Sequence, residues 1–280
     1  MKILVTGANG QLGTELVHQL ERMDVTLFPY TKNDLDITDL KKAQKIVREI
    51  HPDIIINAAA FTNVDRAETE KELAFSINSI GQRNLAVAAE EIDAKICYIS
   101  TDYVFDGNAV EPYKEYSLVN PLGVYGYTKY AGEQLTQSLN SKYFVVRTAW
   151  VYGEYGNNFV KTMLKLATEK SEIGVVHDQI GSPTYTVDLA EFIIELVQTN
   201  KYGIYHCTNS GSCSWYEFAK AIFEEADIDI NVIPLTSDQF PRPAKRPNYS
   251  VLENMALQVN DFSPRRHWRD ALNTFIQKYK

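Results

Sequence analysis

The sequence predicts an α/β fold: a doubly wound parallel sheet with a smaller C-terminal substrate-binding domain. Three observations predict it. Strand-like and helix-like segments alternate from the first residues, the order that βαβ units produce. The segment Asp53-Ile54-Ile55-Ile56-Asn57 is almost wholly apolar, as a strand covered on both faces must be. A glycine-rich turn, Gly7-Ala8-Asn9-Gly10-Gln11-Leu12-Gly13, falls directly between the first strand and the first helix.

The elements follow in order. Residues 3–5 are a short apolar run before Gly7 and read as a buried strand. Residues 11–22 carry Leu12, Leu16, Val17 and Leu20 at helical spacing. Residues 25–28 form a second strand, closed by Pro29. Asp39 precedes a helix whose Ala43, Ile46, Val47 and Ile50 share one face, and Pro52 ends it. Residues 53–57 supply the third strand, 76–91 a long helix and 95–100 the fourth strand. Residues 122–139 read as helix and 143–147 as the fifth strand. Beyond about residue 150 the rhythm loosens. Helices are expected at 159–168, 187–197 and 216–226, with short strands near 174–177 and 205–208. The proline-rich 240–247 is expected to be extended, because proline continues neither a helix nor a central strand. A helix over 266–280 closes the chain. The expected division is a dinucleotide-binding unit over 1–150, to which some later segments return, and a smaller unit mainly over 151–280. The second unit should lie over the C-terminal edge of the sheet, where open α/β folds bind ligands.

Composition excludes several classes. The chain has 280 residues, 45% of them hydrophobic, too many for wholesale disorder. Lys+Arg number 28 against 36 Asp+Glu, a net charge of −8, which argues against a nucleic-acid groove or a polybasic membrane patch. Cys97, Cys207 and Cys213 have no CxxC spacing and read as buried free thiols. The five histidines are scattered, so no metal site is expected. No apolar run approaches the roughly 20 residues of a membrane span. Residues 1–6 lead straight into the glycine turn, with no room for a signal peptide. A cytoplasmic protein without membrane or nucleic-acid partners is expected, as monomer or homodimer.

The glycine turn reads as a phosphate-binding device. Gly7 permits the tight turn, Gly10 lets the backbone approach a pyrophosphate, and Gly13 allows helix and strand to pack closely. The helix N-terminus adds free N–H groups and a positive dipole end. A Rossmann-like dinucleotide site follows, with GxxGxxG rather than GxGxxG spacing. The end of the second strand, Phe28-Pro29-Tyr30-Thr31-Lys32, has no acid to grip a ribose 2′-OH. Lys32 suits a 2′-phosphate, so NADPH is expected, with NADH also accepted; a solvated surface lysine is an equal reading.

A second constellation carries chemistry. Ser100-Thr101-Asp102-Tyr103 ends the fourth strand, and Tyr125 and Lys129 stand four residues apart on one helical face. A free tyrosine, pKa ~10, is a poor acid–base catalyst at neutral pH. A nearby lysine, with the charge of an oxidised nicotinamide, favours the phenolate and should lower that pKa. The Thr101 hydroxyl can orient the reacting oxygen. Tyr127 and Tyr130 neighbour this pair without belonging to it. Trp150 follows a strand end and reads either as a stacking surface for a sugar or as core. Arg242, Lys245 and Arg246 form a basic patch, diphosphate-binding or structurally paired, and 265–269 reads as a surface face.

Together these residues resemble the extended short-chain dehydrogenase/reductase family. Asn57-Ala58-Ala59-Ala60 is similar to its strand-end turn beside the cofactor, 78–85 to its NxxGxxNL helix, and 147–153 to its strand-end substrate turn. The stretches 36–39, 58–68, 100–107 and 246–252 are most similar to the branch that reduces 4-keto-6-deoxy sugar nucleotides. The resemblance implies hydride transfer to C4 of dTDP-4-dehydro-L-rhamnose. Tyr125 would donate the proton, Lys129 hold the nicotinamide ribose and Thr101 polarise the carbonyl. By the same resemblance Gly10, Gln11 and Leu12 cover the pyrophosphate, Asp36 and Ile37 border the adenine, and Ala58, Ala59, Ala60 and Thr62 line the cofactor's path. Asp102, Tyr103 and Trp150 would face the sugar, and Asn78 would act as scaffold. Two alternatives stay open: another sugar-nucleotide reductase or epimerase, and a non-catalytic NADP(H)-binding subunit similar to the beta subunit of methionine adenosyltransferase.

Overall fold

A computed structural model describes residues 1–279. Its first half comprises β1 (Lys2–Thr6), α1 (Gln11–Leu20), β2 (Thr26–Tyr30), α2 (Leu40–Ile50), β3 (Ile54–Asn57), α3 (Val64–Thr69), α4 (Lys71–Phe75), α5 (Gln82–Glu91), β4 (Lys95–Thr101), α6 (Val124–Leu139) and β5 (Tyr143–Thr148). Its second half comprises β6 (Val151–Tyr152), α7 (Phe159–Glu169), β7 (Glu172–Val176), β8 (Ile180–Gly181), β9 (Thr184–Tyr185), α8 (Thr186–Val197), β10 (Gly203–His206), β11 (Cys213–Ser214), α9 (Trp215–Ala226), β12 (Asn231–Leu235), α10 (Met255–Val259) and α11 (Trp268–Tyr279).

Six parallel strands form the main sheet in the order β10-β5-β4-β3-β1-β2. The order reverses beside β1, which opens a crevice at the C-terminal ends of β1 and β3. Alternating side chains explain the apolar run of β3. Ile54 and Ile56 join a core beneath α1 and α8, whereas Ile55, with Leu4 and Ile96, joins a second core beneath α2 and α5. A third core, with Tyr152, Val160, Ile173, Phe218, Trp268 and Phe275, belongs wholly to the second half. That half also returns to the main sheet, because β10 pairs with β5 and α8 packs in the first core.

Several expectations need correction. β2 continues through Pro29 to Tyr30, because as the edge strand it has one side unpaired. The helix expected over 76–91 is preceded by α4 and opens with a π-helical turn, Ser76–Gly81, before α5. α6 starts at Val124 rather than 122, since Gly123 is its extended N-cap. The segment 265–269 is not a solvated face: Arg266 pairs with Asp188 at 2.9 Å, Arg269 pairs with Glu224 and Glu225, and Trp268 is buried. The last helix therefore begins at Trp268, and Lys280 lies outside the described residues. Segment 240–247 holds no helix or strand; Arg242 and Arg246 both reach Asp65 on α3, at 2.6 and 3.1 Å.

One buried ion pair ties the sheet to α6. Arg147, near the end of β5, grips Glu133 bidentately, Nε to Oε1 at 2.9 Å and Nη2 to Oε2 at 2.7 Å. Both side chains are essentially excluded from solvent, at 2% and 0% exposure. Ser100 on β4 donates to Glu133 at 2.6 Å, and Arg147 Nη1 donates to the Glu115 carbonyl at 3.1 Å. His206 completes the cluster. Its Nδ1 faces two carbonyls at 3.1 Å and so carries the proton, leaving Nε2 to face Arg147. Burial, with Arg147 adding to it, pushes the His206 pKa down to about 3, so the ring is neutral. Removing one member of such a pair leaves an uncompensated buried charge. Glu133→Gln should therefore cost roughly 3–5 kcal/mol of unfolding free energy in a urea titration. Glu133→Met/Arg147→Met should recover a large part of that loss; a double variant as unstable as the single one would contradict the assignment.

Candidate active site

A cavity of 490 Å³ opens at the C-terminal ends of β1, β3, β4 and β5, walled on its far side by the second half of the chain. A smaller one of 220 Å³ shares Gly10, Ala58 and Ala60 with it and is further lined by Gly7, Lys32, Asp36, Ile37 and Ala59. Gln11, Leu12, Thr62, Thr101, Asp102, Tyr103, Tyr125, Lys129 and Trp150 all line the larger cavity. Of the residues expected to be catalytic or to face the cofactor or the sugar ring, Gly13 alone lines neither. Its place is explained by packing: a Cβ there would lie 2.0 Å from the Gly7 carbonyl oxygen.

The turn fits a dinucleotide. Gly7 has φ +68°, and a Cβ on it would come within 2.5 Å of Ala59 N. Gly10 caps α1 without a side-chain hydrogen bond, so first-turn N–H groups remain available to an anion. Gln11 ties the turn to the second half, donating to the Val151 carbonyl at 3.1 Å and accepting from Asn158 at 3.0 Å. The Asn57 turn is equally fixed. Its Oδ1 accepts from Thr6 at 2.7 Å and Ala59 N at 3.0 Å, and its Nδ2 donates to Gln82 at 2.6 Å. Asp36 Oδ1 accepts from the Thr38 N–H and hydroxyl. Burial opposes the Asp36 charge, but the Thr38 hydrogen bonds outweigh it and hold the carboxyl below its usual range. Lys32, 4.0 Å from Asp36, is mostly exposed.

Thr101 ends β4 and caps a short 3-10 turn, Asp102–Val104. Its hydroxyl donates to Asp102 Oδ1 at 3.0 Å and accepts from Tyr103 N at 3.2 Å, and it lies near enough to the Tyr125 phenol to favour its charged form. Glu68 on α3 positions the helix that carries Tyr125, accepting from Val124 N at 2.8 Å where Gly123 offers no cap of its own. Lys129 Nζ donates to the Ile99 carbonyl at 2.6 Å and stands 4.1 Å above the Tyr98 ring. Asn78, in the π-helical turn, bonds Phe61 N, Phe61 O and Thr128 with its amide, which makes it a brace. Tyr127 points away and is 58% exposed.

The titration of the pair differs from expectation. Burial pushes the Tyr125 phenol up to about 12; the Thr101 hydrogen bond opposes this and Asp102 reinforces it. Burial also pulls Lys129 down to about 7, with Glu133 opposing. Burial disfavours the charged form of both groups and so works against the depression expected from Lys129 together with an oxidised nicotinamide. Asp102 is raised to about 6, again chiefly by burial, with the Ser250 and Thr101 hydroxyls working against it. Among the described residues its Oδ2 has no partner, and neither has Thr148 Oγ1 on the neighbouring strand end. Two buried, unsatisfied polar atoms in one cavity wall mark where ligand hydroxyls can bind.

Trp150 has φ +48° and lies flat on Trp215, ring centroids 3.5 Å apart. Thr148 and Val151, within the expected substrate turn 147–153, line the cavity too, as do Trp215 and Asn157, which escaped the sequence reading. Only Trp215 carried a local signal: Ser214 and Glu217 form a capping box that starts α9 at that residue. Arg242 and Arg246 line neither cavity, although Arg246 lies close enough to Tyr103 to oppose the upward push that burial gives that phenol.

A parallel sheet with a phosphate-binding turn after β1, and Thr101, Tyr125 and Lys129 gathered at the ends of β4 and α6, defines a dinucleotide-binding protein of the short-chain dehydrogenase/reductase type. Comparison narrows the class. The chain belongs to the RmlD substrate binding domain family, whose pattern matches residues 1–280. It is 45% identical to the spore coat polysaccharide biosynthesis protein SpsK of Bacillus subtilis, over 99% of this chain and 97% of that one. The solved dTDP-4-dehydrorhamnose reductase of Clostridium acetobutylicum is 50% identical, with a TM-score of 0.98 over 100% of this chain and 99% of that one. A Bacillus anthracis dTDP-4-dehydrorhamnose reductase solved with NADP is 49% identical, with a TM-score of 0.96 and 99% of each chain covered.

The raised Asp102 pKa gives a stability signature. The folded state holds this proton above the ordinary carboxylate value of 3.8, up to about pH 6, so stability falls as pH rises between those values. Asp102→Asn escapes that penalty. It should match the wild type near pH 4 and exceed it by on the order of 2–3 kcal/mol at pH 7, read from melting curves at both pH values. An equal change at both would contradict the cause given.

Proposed function

We propose that this protein reduces the C4 keto group of dTDP-4-dehydro-L-rhamnose to dTDP-L-rhamnose with NADPH, NADH being also accepted, as the last step of dTDP-rhamnose biosynthesis. The observation that carries this is the gathering of Thr101, Tyr125 and Lys129, the last two one helical turn apart, in the wall of a cavity continuous with the glycine turn. Its likeness to two solved dTDP-4-dehydrorhamnose reductases over almost their whole length supports the substrate. Residues 1–150 would bind the dinucleotide, with α8 and β10 returning to that unit, and 151–280 mainly the sugar nucleotide. The proposal includes a cytoplasmic location.

The chain's own groups fit the steps. The α1 N-terminus at Gly10, Gln11 and Leu12 would hold the pyrophosphate, Gly7 giving the turn and Gly13 the close packing. Asp36 and Ile37 would border the adenosine, with Lys32 beside them to meet a 2′-phosphate. Ala58, Ala59, Ala60 and Thr62 would line the nicotinamide half, and Lys129 would bind its ribose. A reduced nicotinamide held there would supply the hydride to C4. Tyr125 supplies the proton to O4, and its high pKa suits that direction, since a proton donor must enter the reaction protonated. Thr101 would orient O4 and meet the negative charge that grows there. Asp102 Oδ2 and Thr148 Oγ1 would bind sugar hydroxyls, and Tyr103 and Trp150 would face the ring.

The test is oxidation of NADPH on addition of dTDP-4-dehydro-L-rhamnose. Turnover with formation of dTDP-L-rhamnose is expected; folded, NADPH-binding protein that gives none would sink the proposal. Tyr125→Phe should lose about 10²–10⁴-fold in kcat while its NADPH affinity, read by fluorescence titration, changes little. Comparable loss of both would remove Tyr125 from the role of proton donor.

A further inference from the structure

Trp150 and Trp215 are two of only three tryptophans in the chain, and they form one stacked unit. Their ring centroids lie 3.5 Å apart with planes 8° from parallel. Trp150 sits between β5 and β6 with φ +48°, a conformation rare for a bulky side chain. Such a residue keeps its place only when its surroundings over-determine it. Trp215 comes from a distant part of the chain, at the first position of α9, fixed by the Ser214–Glu217 capping box. Phe159 packs against Trp215 at 4.6 Å. At the edge of the Trp150 indole stands Gly181, where a Cβ would come within 2.5 Å of the ring. Trp150 is thus held in a slot: Trp215 against its face, Gly181 against its edge.

Both indoles line the larger cavity. A pyranose presents faces of C–H groups, and a deoxy sugar more of them, which pack on flat apolar rings. Base and diphosphate need other partners. What Trp150 offers to the cavity depends on where Trp215 stands. We infer that Trp215 is a positioning residue for sugar recognition: it sets the plane of Trp150, so that the two indoles act as one wall for the apolar face of the substrate's sugar. This rests on the ligand being a deoxy sugar nucleotide, as proposed above.

The experiment compares Trp215→Leu and Trp215→Phe with the wild type. Two stacked indoles produce an exciton couplet in far-ultraviolet circular dichroism, which both variants should lose. Calorimetric titration should show dTDP-L-rhamnose binding weakened about tenfold in Trp215→Leu and less in Trp215→Phe, whose smaller ring still stacks. Affinities for dTDP alone and for NADPH should stay unchanged, and KM for the keto sugar should rise with kcat nearly constant. A merely structural role would weaken all three ligands together, and that result overturns the inference. So does unchanged dTDP-L-rhamnose affinity in a variant that has lost the couplet. If Trp215→Leu does not fold, Trp215→Phe decides by the same readings. Wild-type turnover with insensitive variants removes this inference alone. Wild-type protein that binds NADPH but not dTDP-L-rhamnose removes the proposed function and this inference with it.

Discussion

The buried pair of Glu133 and Arg147 is the constraint on which the site depends. Tyr125, Lys129 and Glu133 stand at successive turns of one face of α6, so whatever fixes Glu133 fixes the two groups above it. Arg147 lies opposite Ser100 in the sheet, and Thr148 opposite Thr101. Glu133 bonds both Arg147 and Ser100, which sets α6 against the ends of β4 and β5 at once. An apolar contact there could slide by a fraction of a turn; a bidentate carboxylate–guanidinium pair has one geometry. Such a pair gains little net stability over well-packed hydrophobic side chains. What it supplies is position, at the place where a phenol must meet a threonine hydroxyl.

The same exclusion of water that fixes the site perturbs its ionisable groups, each toward its neutral form. Tyr125 is pushed up, Lys129 down and Asp102 up, with burial the largest cause in every case. The two unpartnered atoms, Asp102 Oδ2 and Thr148 Oγ1, belong to the same condition. A folded core tolerates few such groups. Two of the five among the described residues share this cavity wall, where a polar ligand can offset their cost. A nicotinamide ribose near Lys129 and a sugar beside Asp102 would supply the missing hydrogen bonds.

The legible part of this fold is the part written locally. The apolar run of β3, the glycine turn and the four-residue spacing of Tyr125 and Lys129 each lie within a few residues, and periodicity carries them. Four features were not legible, and each depends on a partner far along the chain. β2 runs past Pro29 only because no strand pairs beyond it. β7 and β12 pair across more than fifty residues, which no local pattern announces. The arginines of 265–269 look solvated until Asp188, Glu224 and Glu225 are brought to them. Trp215 joins the cavity only because α9 delivers it onto Trp150. The titration of Tyr125 has a related cause: its spacing from Lys129 is visible, but the burial that pushes the phenol up is not.

The net charge of −8 poses a last problem, since the proposed ligands are both anions. Bulk attraction cannot gather them. The fold meets this with local positive ends rather than with a basic surface. The open N-terminus of α1 faces the glycine turn, and Lys129 lines the cavity where the two proposed ligands would meet. Lys32 stands at the rim of the smaller cavity, where its charge is partly balanced by Asp36. The Arg242–Arg246 cluster fits the same logic. Two guanidiniums share the single carboxylate of Asp65, so the cluster keeps a net positive charge while its geometry is held. Paired in this way the arginines brace segment 240–247 against α3, and their residual charge falls near Tyr103 in the cavity wall. Acidic composition and anionic ligands are thus compatible, because at these distances the local arrangement of a few groups outweighs the sum over the surface.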